Sequence, residues 1–404
     1  MNNHEALRCL LCKKPLCSGA CPVHTAVPVC MQLYREDRLE EAGKILFDNN
    51  PMSAITSLVC DWNRLCYGHC ILNKRGVPVH WYEIEQEISG EYLKHVYITV
   101  PQETGKKVAI IGGGPAGITV AIKLREAGVG VEIFDEERRV GGVPYYGIPD
   151  FRLDKTILNR YERILFEAGV TFHGGVQVGK DLLLKDLQKR FDAVIVTAGA
   201  DVPRKLNIPG EDGNPHILYS LDFLKDPKSY SLGQKVLVIG GGNVTMDAAR
   251  TAVRMGCDTT IVYRKTFENM PANYREVEEA KFDGVKFELF QVPVAIEGDE
   301  AVIINCENVE DENGKVHTKT LEGTEHKMHF DTMLVSISAN VDYGVFSGSN
   351  VNFDERGRLV TGEDQQAMPG LFIAGDFLTG PKTVVEAVAS AKTAVASTLH
   401  YLSL

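Results

Sequence analysis

Two apolar runs break into glycines in the same way. Val108, Ala109, Ile110 and Ile111 lead straight into Gly112, Gly114 and Gly117, and a helical spacing opens at Pro115 and Ala116. Residues 236–239 lead into Gly240 and Gly242, and Asn243 and Val244 open a second helical stretch that runs to 255. Such a run, ended by turn residues and followed by a helix, predicts a buried parallel strand and a tight turn at a helix N-terminus. The strand expected after the first unit, 131–134, ends at Asp135; the one after the second, 260–263, ends at Arg264 and Lys265. Further buried runs at 193–198, 333–337 and 371–374, with a helical pattern at 161–168 and an extended one at 170–172, predict open parallel sheets. Between 288 and about 331 apolar and polar positions alternate. Turn signals at Gly298-Asp299 and at Glu312-Asn313-Gly314 make this an antiparallel flap.

The first hundred residues read differently. A helix is expected over 28–47, with Pro28 in its first turn and Asn49-Asn50-Pro51 ending it. Another is expected over 78–92, where Ile84 and Ile88 share a face. The fold class is therefore α/β, with two Rossmann-like dinucleotide-binding domains and an N-terminal α-helical domain. The expected boundaries are 1–104 for the helical domain, 105–215 with 330–404 for the first nucleotide domain, and 216–329 for the second, inserted into it.

Composition narrows the class. The 404 residues are 44% apolar and 24% charged, with a net charge of −11, so nucleic acid and anionic membrane surfaces are not expected partners. The polar start MNNHEALRC lacks the apolar segment of a secretion signal, and no run reaches the ~20 residues of a spanning helix. A cytoplasmic location is expected. Eight of the ten cysteines fall within the first seventy residues. In a chain without a signal peptide, that clustering points to metal chemistry rather than disulfides.

Cys9, Cys12, Cys17 and Cys21 form C-x2-C-x4-C-x3-C before Pro22, and Cys60, Cys66 and Cys70 form C-x5-C-x3-C. A single zinc needs only four ligands. Seven thiolates in two groups suit two cubane iron–sulfur clusters, with an eighth ligand that is not cysteine. Cys30, inside the expected helix, reads as core, and the lone Cys257 and Cys306 as packing residues. The first glycine loop suits a pyrophosphate, with Asp135, eighteen residues after Gly117, placed for a ribose hydroxyl. At the second loop Arg264 and Lys265 replace the acid, which favours a 2′-phosphate and hence NADP(H), unless they only cap the strand in solvent. Asp376 ends the 371–374 strand, where it could bond a ribityl or ribose group. The helix beginning at Thr383 or Val384, just after Lys382, could stabilise negative charge on a reduced flavin. Two nucleotide folds imply a bound flavin and a nicotinamide that delivers hydride to it.

These residues resemble the glutamate synthase small-subunit family of flavoproteins. That family also includes the N-terminal half or electron-input subunit of dihydropyrimidine dehydrogenase and the large subunit of bifurcating ferredoxin:NADP oxidoreductases. The resemblance runs from Cys9 to the C-terminal helix. It implies FAD, NADPH and two 4Fe–4S clusters, one on Cys9, Cys12, Cys17 and Cys70. The other would use Cys21, Cys60, Cys66 and a side chain from Ile84-Glu85-Gln86, with Glu85 the expected ligand and Gln86 the alternative. GGVPYYGIPDFRLDK, 141–155, looks like the family's flavin loop, with Gly142, Val143 and Arg152 on FAD. Ser336-Ile-Ser-Ala-Asn340 departs from it, since relatives usually carry a glycine there.

The expected function is electron input. Hydride passes from NADPH to FAD, and single electrons pass through the clusters to a catalytic partner subunit in a hetero-oligomer. No catalytic residue is named, because hydride transfer needs no acid or base from the protein. The flavin and nicotinamide domains hold no C-x-x-C pair for a disulfide exit, and no stretch is left over for a substrate domain. A bifurcating complex, a self-contained diaphorase and a zinc-stapled redox-sensing module are the competing expectations.

Overall fold

The computed structural model describes residues 3–312 and 316–404 and falls into two compact units. One comprises Met1–Tyr145, Asp150–Ala200 and Val341–Leu404; the other comprises Tyr146–Pro149 and Asp201–Asn340.

In the first unit a six-stranded sheet runs in the order Gln366–Met368, Leu371–Ile373, Ala193–Val196, Lys107–Ile111, Gly130–Asp135, Thr171–Gly174. Every neighbour is parallel except Gln366–Met368, which is antiparallel to Leu371–Ile373. Lys107–Ile111 lies at the centre, covered on both faces, which is why its residues read as an unbroken apolar run. Helix Pro115–Glu126 packs along the C-terminal helix Val384–Tyr401. The buried face of the latter is built from Val388, Ala391, Ala394 and other small residues that allow close approach.

The same unit contains the N-terminal helices, which close on Ala6, Met31, Tyr34, Leu46, Ile84 and Ile88. The helix expected over 28–47 is two, Val27–Arg35 and Leu39–Asn49. Asp37 takes φ 58°, the Arg38 N–H bonds the Leu33 carbonyl at 2.9 Å, and the Asp37 N–H bonds that of Tyr34 at 3.2 Å. This is a Schellman stop with aspartate where glycine is usual, so composition did not announce it. Polar bonds tie the helical layer to the sheet layer. The Tyr161 hydroxyl donates to the Pro51 carbonyl at 2.7 Å, and the Lys392 ammonium donates to Asn49 Oδ1 at 2.6 Å.

The second unit holds a parallel sheet ordered Ile217–Tyr219, Thr332–Ser336, Lys235–Gly240, Asp258–Tyr263, Lys286–Leu289. In its antiparallel flap the long strand Glu300–Glu310 pairs with Gln291–Glu297, Val316–Thr320 and His326–His329. Of the second expected turn, Asn313 and Gly314 lie outside the described residues. One boundary needs correction. Strand Thr332–Ser336, expected in the first nucleotide domain, lies between Ile217–Tyr219 and Lys235–Gly240 in the second sheet. A buried apolar strand carries no mark of which sheet it joins. The chain passes between units at the short ribbon formed by Val202–Pro203 and Ala339–Asn340, so the second unit takes 201–340 rather than 216–329, together with 146–149 from the expected first nucleotide domain.

Just before that ribbon Ser338 adopts φ 99°, at the stretch where a glycine was expected. A side chain in this region is strained by roughly 1–3 kcal/mol, and a glycine there costs about 0.5–1 kcal/mol in unfolded-chain entropy. Ser338→Gly should therefore raise the urea midpoint, by about 1 kcal/mol of stability. A lowered midpoint would show that the serine is held by more than its backbone.

Candidate functional site

The first glycine loop is built by crowding at two positions and openness at a third. A Cβ on Gly112 (φ 104°) would lie 2.5 Å from the Thr197 carbonyl oxygen, and one on Gly117 would lie 2.0 Å from the carbonyl oxygen of Gly112. These two glycines let strand, turn and helix close on each other. Thr197, which motif reading did not single out, fastens the turn by donating its hydroxyl to the Gly112 carbonyl at 2.7 Å. Gly114 is different. It is the N-cap of Pro115–Glu126, no side chain caps that end, and a Cβ there would meet only Gly142 Cα, at 3.8 Å. The helix N-terminus thus keeps its first-turn donors open beside a bare backbone, the arrangement that holds a pyrophosphate. Asp135 shapes the rim by accepting from the Gly113 and Glu137 N–H groups. Gly114→Ala should leave the unfolding midpoint nearly unchanged yet lower the flavin retained after gel filtration. A variant that holds flavin as the wild type does would show that the cradle tolerates the methyl group.

The 371–376 stretch brings a carboxylate to this loop. Gly375 (φ 67°) lies so near helix Pro115–Glu126 that a Cβ would be 2.9 Å from Ala116 Cβ, and its N–H donates to Ser390 Oγ at 3.0 Å. Asp376 Oδ1 is buried and has no hydrogen-bond partner among the described residues. Burial pushes this carboxyl up to about 7 although the Lys382 N–H donates to it. An orphaned acceptor beside a pyrophosphate cradle fits a sugar or ribityl hydroxyl. Thr383 and Glu386 form a capping box: the Glu386 carboxylate accepts from the Thr383 N–H at 3.0 Å and its hydroxyl at 2.6 Å. Val384 then starts the helix, with Lys382 3.8 Å from Glu386. Beside the cradle Gly142 takes φ 55°, an exposed Val143 opens the short helix Val143–Tyr146, and Arg152 is half-buried.

The Asp376 shift has a stability consequence in flavin-free protein. Its folded value lies above the ordinary 3.8, so the folded state holds the proton more tightly. The stabilisation is full below about pH 4 and is lost as pH rises to about 7. Asp376→Asn should be comparable to the wild type at pH 4.5 and more stable at pH 8 in denaturant melts. A constant difference between the two across that range would refute the assignment.

The second glycine loop divides the same way. A Cβ on Gly240 (φ 148°) would lie 2.3 Å from the Ser336 carbonyl oxygen, whereas one on Gly242 would meet nothing within 4 Å. The Asn243 side chain is engaged, accepting from the Asn273 N–H at 2.8 Å, so Asn243 and Val244 offer an anion their backbone. Ile239 pairs with Val262, which puts Gly242, Arg264 and Lys265 at the same carboxyl edge of the sheet. Arg264 is exposed and forms no ion pair among the described residues; Lys265 is half-buried.

The thiols gather in the helical layer. Cys9, Cys12, Cys17, Cys66 and Cys70 line one pocket with apolar Val27, Met31 and Trp81. Burial raises the Cys9 thiol, with Cys12 and Cys70 adding to it, and raises Cys17 to about 11, with Cys70 and Cys9 adding. Cys60 and Cys66 are raised well above the usual range by burial first, then by Glu85 and, for both, by Cys21. Cys66 therefore lies between two thiol groups. Glu85 is buried in helix Trp81–Leu93 and is pushed up to about 8 by burial, against a bond from Trp81, whereas Gln86 is exposed. Of the two candidates for the eighth position, Glu85 alone faces the thiols. Cys30 is fully buried in the helical core and Cys306 in the flap. Among the described residues no three His, Cys, Asp or Glu side chains converge as on a single metal ion. Five soft thiol donors lining one apolar pocket are a donor set that fits an iron–sulfur group.

Trp81 and Lys392 were not legible as site residues. Neither belongs to a motif, and only the packing of two helices brings them to the thiol layer. No helix among the described residues is long and apolar enough to cross a membrane.

Two protein families match the chain. Residues 106–391 match the family described as pyridine nucleotide-disulphide oxidoreductase, and residues 1–96 match dihydropyrimidine dehydrogenase domain II, 4Fe-4S cluster. The chain is 33% identical to the glutamate synthase [NADPH] small chain of Halomonas elongata, over 99% of this chain and 90% of that one. It is 29% identical to the NADP(+)-dependent formate dehydrogenase subunit beta of Moorella thermoacetica, over 96% of this chain and 60% of that one. Among solved structures, FprA of Mycobacterium tuberculosis in complex with NADPH shares the fold with a TM-score of 0.66 at 21% identity, over 74% of this chain and 84% of that one. With two nucleotide loops of matching design and a thiol-lined helical layer, the chain belongs to the glutamate synthase small-chain family of FAD-dependent NAD(P)H oxidoreductases with an N-terminal 4Fe–4S domain.

Proposed function

We propose that this chain is the electron-input subunit of a multisubunit oxidoreductase, feeding reducing equivalents from NADPH to a catalytic partner of the glutamate synthase or dihydropyrimidine dehydrogenase type. When bound, FAD accepts hydride from the nicotinamide, and 4Fe–4S clusters relay single electrons. The observation that carries this reading is that all seven cysteines of the two spaced groups lie in the same compact unit as the first glycine loop and Asp376, five of them lining one pocket. The names of the relatives, a small chain and a subunit beta, support a partner.

The residues divide the work. Gly112, Gly114, Gly117 and the N-terminus at Pro115 and Ala116 bind the FAD pyrophosphate; Asp135 and Asp376 hold its hydroxyls; Gly142, Val143, Arg152, Lys382, Thr383 and Val384 complete the pocket. Gly240, Gly242, Asn243 and Val244 bind the second pyrophosphate, and Arg264 and Lys265 select the 2′-phosphate. Two ligand sets serve the clusters, Cys9, Cys12, Cys17 and Cys70 in one, and Cys21, Cys60, Cys66 and Glu85 in the other. Cys60 terminates helix Ser53–Val59, which packs on Val384–Tyr401, so the second set is the one next to the flavin-binding layer. Apolar walls around the thiols keep water from the inorganic sulfur.

Anaerobic purification tests the reading. About eight irons, eight labile sulfides and one FAD per chain are expected, with NADPH bleaching both chromophores. One zinc without sulfide would replace it with a stapled sensing module. Rapid turnover of quinones without any partner would replace it with a diaphorase.

A further inference from the structure

The surface around the outer thiols is unlike the rest of the molecule. Leu10, Leu16 and Ile71 line the Cys9/Cys12/Cys17/Cys70 pocket, yet they are 60%, 51% and 37% exposed. Apolar side chains grouped at a pocket mouth mark a contact surface more often than scattered ones do. Their surroundings are basic. Residues 1–35 and 61–80 contain seven Lys and Arg against two Asp and Glu, in a chain of net charge −11. Both acids are already paired, Glu5 with Arg8 at 2.7 Å and Asp61 with Arg64 at 3.3 Å. Lys13, Lys14, Lys74 and Arg75 are exposed, and none forms an ion pair among the described residues. Lys13 and Lys14 lie between Cys12 and Cys17. Lys74 ends the turn Ile71–Lys74 that begins beside Cys70, and Lys14 shares a groove with Leu16 and His69.

We propose that this apolar mouth with its basic rim docks an electron-accepting protein that carries an acidic face around its own redox centre. The inference rests on the electron-transfer reading above. The rim steers the acidic partner, and Leu10, Leu16 and Ile71 exclude water at the point of transfer. In the reaction one NADPH is oxidised to NADP+ with release of a proton. Its two electrons leave singly, each reducing one acceptor molecule.

The test uses the anaerobically purified holoprotein with two protein probes, an acidic adrenodoxin-type ferredoxin and a basic cytochrome c. In wild type the ferredoxin rate should fall steeply between about 20 and about 500 mM salt, as screening removes the attraction. Replacing Lys13, Lys14, Lys74 and Arg75 with glutamate should lower kcat/KM for ferredoxin about tenfold or more. The cytochrome c rate should rise, while iron content and NADPH bleaching of the chromophores stay as in wild type. A ferredoxin rate that is zero, indifferent to salt in wild type, or lowered no more than that of cytochrome c in the variant overturns the proposal. If the fourfold variant loses iron, the wild-type salt dependence decides alone. Protein that lacks iron from the start refutes the electron-transfer reading itself, whereas loaded, NADPH-reducible protein without charge dependence refutes only the docking surface.

Discussion

Replacing Cys70 with serine is expected to halve the iron, from about eight to about four per chain, and to stop delivery to a protein acceptor while NADPH still bleaches the flavin. Cys70 lies far along the chain from Cys9, Cys12 and Cys17, yet it lines their pocket and raises the thiols of Cys9 and Cys17. If these four act as one ligand set, adding Cys12→Ser to Cys70→Ser should cost no further iron, because residues of one unit are not additive. Adding Cys60→Ser should remove the remaining half. A grouping by sequence order, with Cys9, Cys12, Cys17 and Cys21 in one set, makes the opposite forecast for the first pair. Iron assay and low-temperature EPR on the three proteins decide between them. Loss of all iron in the single variant would mean that the helical layer collapses without either cluster, and the pairwise comparison would then move to Cys→Ser variants reconstituted with iron and sulfide.

The second large effect concerns nucleotide choice. Neutralising Arg264 and Lys265 together, as Arg264→Gln and Lys265→Gln, should raise the KM for NADPH by roughly 10- to 100-fold, the loss of one or two charge-assisted bonds at about 1.5–3 kcal/mol. The KM for NADH and the kcat with either nucleotide should hardly move, since these side chains lie at the carboxyl edge of the sheet beside Gly242 and act on a distant phosphate. Steady-state kinetics with both nucleotides is the check. Equal use of NADPH and NADH before and after would return the two residues to a solvent-facing strand end.

Certain misreadings follow from how chains encode structure. The Schellman stop at Asp37 escaped because aspartate, unlike glycine, does not announce a left-handed residue. Thr332–Ser336 was assigned to the wrong sheet because an apolar strand looks alike in either. The preference for Glu85 over Gln86, by contrast, rests on family resemblance, and the helix supplies its physical reason. A one-residue step along helix Trp81–Leu93 turns one side chain inward among the thiols and the next outward to solvent.

The strand–turn–helix units, the acid or base ending each second strand, and the cysteine spacings were all determined by sequence alone. Each is a local pattern whose physics, glycine backbone freedom and burial of short apolar runs, acts within a dozen residues. Only the tertiary structure decided which thiols share a pocket, which sheet takes strand Thr332–Ser336, and that Gly375 lies against Ala116 while the next residue, Asp376, keeps one buried oxygen without a partner among the described residues. These outcomes depend on contacts between segments tens to hundreds of residues apart. They are set by how whole layers close on one another, and no local pattern records that.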